Sequence, residues 1–365
     1  MRLMFVYWQP ENAGSAQDIL NYSRVAPELG HEVVLYAPPT PGSRYPCSLD
    51  INSADAVVFV FEWNLYEHPG GDKKKDPPPR GGLMGIGHLN VVKVIGRVPR
   101  ERRVLIDCDG MYNDATHVGG DYNHPDAQAS RRRIELCDSL TDTILQPTPR
   151  PLRPNVRPFL FHGYDPGWER PLDAAGKEFG MVYVGSNWFR WRPLRRVLGA
   201  VEPIRDEVGR IALVGHDWAA MPWWIESPFR EAAYFTDPEY LKALGVEVRP
   251  PVPVEQVIPL MSRGVFNPVL IRPLFAHLGL VTCRTFETPA ANTIPVFDQT
   301  EEYVRGIYGE RGAELVLGED PTRRIRDVLR RPGHYVEVVR DVRRHLGERH
   351  SFASRLRELV RIVGG

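Results

Sequence analysis

The sequence predicts an α/β protein built as two parallel-sheet domains that face each other across a cleft, with helices closing the C-terminal end. Three observations carry this. Strand–loop–helix–strand units recur in two separate series, one starting at Met1 and one at Met181. The 34 prolines and 32 glycines break the chain at short intervals, which favours many short βα units over long helical bundles. A length of 365 residues is long for one domain and comfortable for two.

Composition bounds the function. Hydrophobic residues make up 42% and charged residues 25%, as in soluble globular proteins. The formal net charge is zero, so no whole-chain field recruits nucleic acid or anionic membrane, and nucleic acid is not expected as a partner. No apolar run approaches the roughly 20 residues of a membrane span. Arg2–Tyr7 looks like a strand and lacks a cleavage site, and Cys47, Cys108, Cys137 and Cys283 show no metal-ligand spacing. Reduced thiols in a cytoplasmic protein are expected. Arg is dense from Asp320 onward, either as an anion-facing surface or as the solvated face of terminal helices.

Met1–Tyr7 forms a first strand, Trp8–Ser15 a polar loop with Asn12 and Gly14, and Ala16–Leu29 a helix ended by Gly30. Glu32–Tyr36 completes a βαβ unit, which requires a right-handed crossover. The loop lacks GxGxxG, which argues against an NAD or FAD enzyme. Asp55–Phe61 is a strand apolar enough to be covered on both faces. Glu67–Gly82 is rich in Pro, Gly and Lys, and suits a lid or a tolerated surface insertion. Gly82, Gly85 and Gly87 read as close packing in a following helix.

Arg103–Ile106 is a strand that ends in Asp107-Cys108-Asp109-Gly110. Ligands of such sheets bind outside the carboxyl ends of the strands, so these acids face the crevice, as an acceptor-side carboxylate pair or a metal clamp. Asn113, Asp114, His117, Asp121 and His124 follow, as a base, acceptor contact or metal ligand, or as turn chemistry. Ala127–Leu136 is helical, Ser139–Leu145 and Arg157–Phe161 are strands, and Pro166–Glu178 links the domains. The expected division is 1–165, linker 166–178, 179–345, and a last helix at 346–365 that crosses back to the first domain.

In the second series Met181–Val184 leads to Gly185, Ser186, Asn187, Arg190 and Arg192, and a helix runs from Pro193 to about Val208. Arginine clamps phosphate oxygens well. Ile211–Val214 ends at Gly215-His216-Asp217. Met221–Phe235 is aromatic and irregular, and Val246–Arg249 and Phe266–Leu270 are further strands. Cys283, Arg284, Phe286 and Glu287 then lead into a small-residue helical turn, Pro289-Ala290-Ala291, before the strand Ile294–Phe297. That loop, helix start and carboxylate suit a phosphate and sugar hydroxyls, or form an ordinary αβ step. Helices follow from Glu301.

Four local patterns give these two Rossmann-like domains a resemblance to GT-B nucleotide-sugar glycosyltransferases of the group 1 superfamily, including its spore-maturation-type branch. They are Phe161-His162-Gly163-Tyr164-Asp165, Tyr183-Val184-Gly185-Ser186, Arg284-Thr285-Phe286-Glu287 with Ile294-Pro295-Val296, and His350-Ser351-Phe352 with Arg355. The resemblance covers about Phe161–Val360 and implies transfer of a sugar to a hydroxyl or amine of a small-molecule or glycan acceptor. It implies that Glu287 holds the donor ribose, that N–H groups of Thr288 to Ala290 meet the diphosphate, and that Arg190 or Arg192 stabilises it on leaving. Gly185, Ser186, Asn187, His216, Arg284 and Phe286 complete the donor side. Asn12, Gly14, Asp107 and Tyr112 form the acceptor side, with Asp109 or His117 as base. The nucleotide sugar is a co-substrate, and no cofactor or metal is expected. The chain departs from the group in lacking the first Glu of its double-Glu motif and in carrying WFRWR in place of its Arg/Lys pair, which leaves donor and stereochemistry open. An epimerase/hydrolase and a non-catalytic coat-type protein are the alternatives on this architecture.

Overall fold

A computed structural model describes residues 1–7, 14–62, 94–225 and 227–364. The proposed lid at 67–82, the glycines Gly82, Gly85 and Gly87, and Asn12 lie outside these residues. Two parallel sheets organise the rest. The first runs β1 (Arg2–Val6), α1 (Gly14–Val25), β2 (Glu32–Tyr36), β3 (Cys47–Ser48), β4 (Ala56–Phe61) and β5 (Arg103–Asp107). A small antiparallel hairpin, β6 (His117–Val118) and β7 (Asp121–Tyr122), precedes α2 (Ala127–Leu140), β8 (Thr143–Gln146) and β9 (Val156–Pro158). Strand order is β3-β2-β1-β4-β5-β8-β9. The order reverses between β1 and β4, which places the ligand crevice at the carboxyl ends of those two strands. Every residue of β4 is buried, as its unbroken apolar run requires of a strand covered on both faces.

The second sheet starts at β10 (Phe179–Val184), followed by α3 (Trp191–Val201), β11 (Ile211–Val214), α4 (Pro228–Tyr234) and α5 (Pro238–Ala243). Then come β12 (Val246–Arg249), α6 (Val254–Met261), β13 (Gly264–Val269), α7 (Pro273–Leu278), α8 (Cys283–Ala290) and β14 (Ile294–Phe297). Its order, β12-β11-β10-β13-β14, reverses between β10 and β13. The stretch Met221–Phe235, expected to be irregular, contains α4. Ser227 caps that helix by accepting from Arg230 N, and Pro228 sits in its first turn, a local signal for a helix start.

Helices α9 (Glu301–Tyr308), α10 (Pro321–Arg330), α11 (Pro332–Arg349) and α12 (Phe352–Gly364) close the chain. The last returns to the first sheet. Phe352, Leu356 and Leu359 share a buried cluster with Leu3, Phe5, Ile19 and Tyr22. Tyr22 stacks between Phe5 and Phe161, each 5.8 Å away, and meets the edge of Phe352 at 5.3 Å. Each such side chain contributes about 1.5–3 kcal/mol on burial, so the tail is a structural part of the first domain's core.

At the α11–α12 junction His350 is buried beside Phe286, and its Nδ1 has no partner among the described residues. Burial, then Arg355 and His345, pull its pKa down to about 3. The folded state therefore binds fewer protons here than the unfolded one. The stability this gives is complete above about pH 6.5 and is lost as pH falls toward 3. Relative to His350→Phe, the wild type should lose about 2 kcal/mol of unfolding free energy between pH 7 and 5. A difference that does not change with pH in urea titrations would remove His350 from the acid response.

Candidate active site

The first wall of the site is set by the residues just beyond β1 and β4. Tyr7 Oη donates to Glu62 Oε2 at 3.0 Å, and Ser15 Oγ, in the first turn of α1, donates to Oε1 at 2.5 Å. Burial, and then the charge of Asp109, push the Glu62 carboxyl up to about 7. Two hydroxyl donors and a second carboxylate thus hold Glu62 near its titration point, at the place where the sheet order reverses.

The expected acceptor residues on β5 and its loop have other partners. Asp107 is fully buried and accepts from Met111 N (3.0 Å), Tyr112 N (2.8 Å) and Gln146 Nε2 (2.8 Å). Burial raises it to about 6 despite those donors. Tyr112 is equally buried, donates to Asp138 and accepts from Asn155 Nδ2 at 2.7 Å. Both residues fix the loop after β5 rather than present themselves to a ligand. The polar run behind them is mostly turn chemistry. Asn113 Nδ2 and Asn123 Nδ2 donate to Gly110 O at 3.2 and 3.3 Å, and His124 Nε2 contacts Met111 O at 2.6 Å. His117 is exposed on the β6–β7 hairpin, edge-on to Tyr122, and the hairpin itself is tied to the second domain by Asp121.

On the second wall the turn after β10 is held tightly. A Cβ on Gly185 would lie 2.6 Å from Tyr183 Oη, and one on Gly215 would lie 2.1 Å from Gly185 O, so the ends of β10 and β11 approach as only glycines allow. Trp218 Nε1 donates to Gly185 O at 2.7 Å. Asn187 is buried, and its Nδ2 donates to Asp217 O (3.0 Å) and Phe235 O (2.9 Å), while its own N–H reaches His216 O at 3.1 Å. Asn187 is therefore the brace of the turn. His216 contributes a carbonyl to it and leaves its ring exposed. Phe189, at φ 54°, is a non-glycine in the left-handed region next to Arg190, the kind of strain that collects at functional turns. Arg190 Nη1 reaches Ser186 O at 3.2 Å, and its charge acts on Cys283. Arg192 points elsewhere: it crosses to Gly119 of the hairpin and lines a separate cavity of about 350 Å³ with Trp191 and Phe235. The two arginines that are alternatives for the diphosphate thus lie in different places, and only Arg190 is near Cys283.

The key helix starts earlier than expected. It spans Cys283–Ala290, with Thr282 as N-cap residue and Pro289 in its last turn. The unsatisfied N–H groups of the helix start therefore belong near Cys283, and those of Thr288 and Ala290 fall in its last turn. Thr288 Oγ1 instead donates to Arg284 O at 2.9 Å, and Phe286 is wholly buried in the second domain's core. Cys283 and Glu287 are one turn apart on one helix face. Glu287 Oε2 lies 2.7 Å from Arg284 Nη1, a close ion pair without hydrogen-bond alignment. Burial, and then Glu287, push the Cys283 thiol well up, so it is a neutral S–H wall.

Cys283 and Glu287 face Gly14, Asp18 and Asn21 across a cavity of about 300 Å³, with Trp168, Val257 and Ile258 completing its sides. A Cβ on Gly14 would sit 3.0 Å from Cys283 Sγ, so a larger residue would press the walls apart. His162, at the edge of the linker, meets Asp18 through Nδ1···Oδ2 at 2.6 Å. Sequence reasoning gave no role to Asp18, Glu62 or His162. A signal existed for two of them: Glu62 directly follows the apolar strand β4, and His162 lies in the F-H-G-Y-D step. Asp18, inside α1, had none. Among the described residues no group of three or more His, Cys, Asp or Glu is placed to hold a metal ion, and no helix is long and apolar enough to cross a membrane.

No family model matches the chain, and no curated protein matches it. Solved structures do, over all of its length. An alpha-glucosyltransferase in complex with UDP and a 13-mer DNA containing a HMU base has a TM-score of 0.61 at 14% identity, with 100% of this chain and 99% of that one covered. T4 phage BGT with its UDP-glucose substrate has 0.60 at 12% identity, with the same coverage. A DNA-modifying beta-glucosyltransferase, solved with and without uridine diphosphoglucose, has 0.58 at 12%, again covering 100% and 99%. At such identities the likeness is one of fold, and that fold is the GT-B architecture of nucleotide-sugar glycosyltransferases. These matches also overturn the exclusion of nucleic acid: chains of this architecture are solved with DNA. A net charge summed over the whole chain says nothing of the charge on any one face.

Proposed function

We propose that the protein is a glycosyltransferase that moves a sugar, of hexose type, from a nucleoside-diphosphate sugar to a hydroxyl or amine of its acceptor. The observation that carries this is the cavity in which Cys283, at the start of α8, and Glu287, one turn further on, face Asp18 and Gly14 of the first domain. A carboxylate suits the paired hydroxyls of a ribose, and the helix start with Arg190 suits the diphosphate. Fixed positive groups stabilise charge that grows on the leaving diphosphate. The donor is a co-substrate, and the reading includes no other cofactor. Nucleic acid belongs among the acceptors to be tried beside glycans and small molecules, since matched alpha-glucosyltransferases carry 13-mer DNA.

Glu287→Ala tests the donor assignment. Losing hydrogen bonds to a charged acceptor costs about 1.5–3 kcal/mol, so UDP or GDP should bind roughly 10- to 100-fold more weakly by calorimetry. Unchanged affinity for every nucleotide that the wild type binds would sink the assignment. A second reading, nucleotide-sugar hydrolysis or epimerisation, draws support from the carboxylates and imidazole gathered beside Glu287. Nucleotide release that no acceptor accelerates favours it.

A further inference from the structure

The pair Asp18–His162 is the most enclosed polar contact at the cavity and has no part in holding the donor as read above. The two side chains are 4% and 10% exposed, and Asp18 itself lines the cavity opposite Glu287. The backbone that carries the imidazole is pinned on each side. Tyr22 Oη donates to Phe161 O at 2.6 Å, Tyr164 N donates to His350 O at 2.9 Å, and a Cβ on Gly163 would lie 2.8 Å from the Phe352 ring. The ring is therefore held at one orientation from α1, from the linker and from α12. With Nδ1 engaged by Asp18, Nε2 makes no hydrogen bond among the described residues. It is the nitrogen left for a ligand. The charged groups that act on the ring are Asp18 from α1, Glu62 from the end of β4 and Glu287 from α8, all carboxylates.

We propose that His162 is the general base of the transfer and that Asp18 is its positioning residue. The inference rests on the donor reading above. Nε2 takes the proton of the acceptor O–H, whether that acceptor is a hydroxyl or water. The oxygen forms a bond to the anomeric carbon, and the bond from that carbon to the diphosphate oxygen breaks, its electron pair leaving with the nucleoside diphosphate. Asp18 accepts Nδ1–H, which fixes the tautomer with a free Nε2 and favours the imidazolium formed as the proton arrives. Burial works against that cation, but Asp18, Glu62 and Glu287 together outweigh it and lift His162 above its ordinary value. One direct displacement inverts the anomeric centre.

The test uses the full chain and UDP-glucose, the donor of a matched structure, with water as acceptor and UDP release as readout. His162→Gln should cut kcat by about 10²- to 10⁴-fold while UDP affinity stays within about twofold and the melting temperature holds. In the wild type, kcat/KM should rise with pH through an apparent pKa above about 6.5. Asp18→Asn should move that limb to lower pH, a shift that a merely structural role for Asp18 would not produce, and it serves as the test if His162→Gln melts early. Glucose sampled before it mutarotates should be the inverted anomer. Turnover of His162→Gln within about threefold of wild type, an acid limb unmoved by Asp18→Asn, retained configuration, or UDP-glucose bound with no UDP released would each overturn the proposal. Failure of the donor reading is distinct, because calorimetry would then show binding of neither UDP nor GDP.

Discussion

Arg343→Ala should destabilise the protein by about 3–5 kcal/mol, because several buried carbonyls lose their donor at about 1–3 kcal/mol each. The guanidinium sits at 7% side-chain exposure on α11 and closes the end of α8. Its Nε donates to Pro289 O at 2.7 Å, and Nη2 donates to Ala290 O and Ala291 O, each at 3.0 Å. Its Nη1 donates to Arg170 O of the linker at 2.8 Å. The last carbonyls of a helix have no partner in its own ladder, and here Pro289 sits among them, so one side chain from another helix satisfies most of that end. Burial lowers the affinity of Arg343 for its proton, against the charges of Tyr164 and Glu169, but a guanidinium keeps that proton. Arg343→Lys should recover little, because a single ammonium cannot reproduce the planar fork that spans four carbonyls. Urea unfolding that moves the midpoint without changing the slope is the expected form of the result. A loss under about 1 kcal/mol would show that water replaces the fork without penalty. Since Glu287 stands one turn before that end, nucleotide affinity should fall along with stability.

Arg343 also marks the boundary of what the sequence shows. It belongs to the Arg-dense tail, which composition alone assigned to an anion-facing surface or a solvated helix face. Nothing in spacing connects it with carbonyls at 289–291, because periodicity reports only contacts within an element. The strands were legible for that same reason: Asp55–Phe61 and Ile211–Val214 are apolar runs bounded by turn residues, and burial on both faces leaves no polar alternation to confuse them. Glu287 was legible as a carboxylate at an αβ step, while its helix starts earlier than the sequence suggests: Pro289 reads as a first-turn residue, and Thr282, the true N-cap residue, makes no side-chain capping bond. The acidic cluster after β5 misled by its position. Asp107 does lie at the carboxyl end of a strand, but backbone N–H groups of its own loop claim it first. Asp18, which lines the crevice, and its partner His162 come from a helix interior and a linker edge, 144 residues apart, and only the folded chain brings them together.

A second large effect is expected at the contact between the β6–β7 hairpin and α7. Asp121 is fully buried, and Arg272 meets it with Nη2 at 2.5 Å and Nε at 3.0 Å, a two-point carboxylate–guanidinium pair. Leu274 N donates to the same carboxylate at 2.9 Å, so Asp121 caps the start of α7 from the other domain. Arg272 also lies over the rings of Phe275 (4.7 Å) and Phe189 (4.9 Å). Asp121→Ala should cost about 3–5 kcal/mol, because it leaves a desolvated guanidinium with aromatic faces as its remaining company. The double replacement Asp121→Leu with Arg272→Met should cost much less than the sum of the single changes, since neither charge is then stranded. Additive losses in denaturant titrations would mean that the pair is not coupled. The same carboxylate explains why the polar run after β5 resisted assignment to a ligand: its most buried acid serves to join the two domains. Phe189, whose strained turn leads into Arg190, packs against this guanidinium. Asp121→Ala should therefore disturb the β10–α3 turn as well, and nucleotide affinity in that variant should fall even where the protein remains folded.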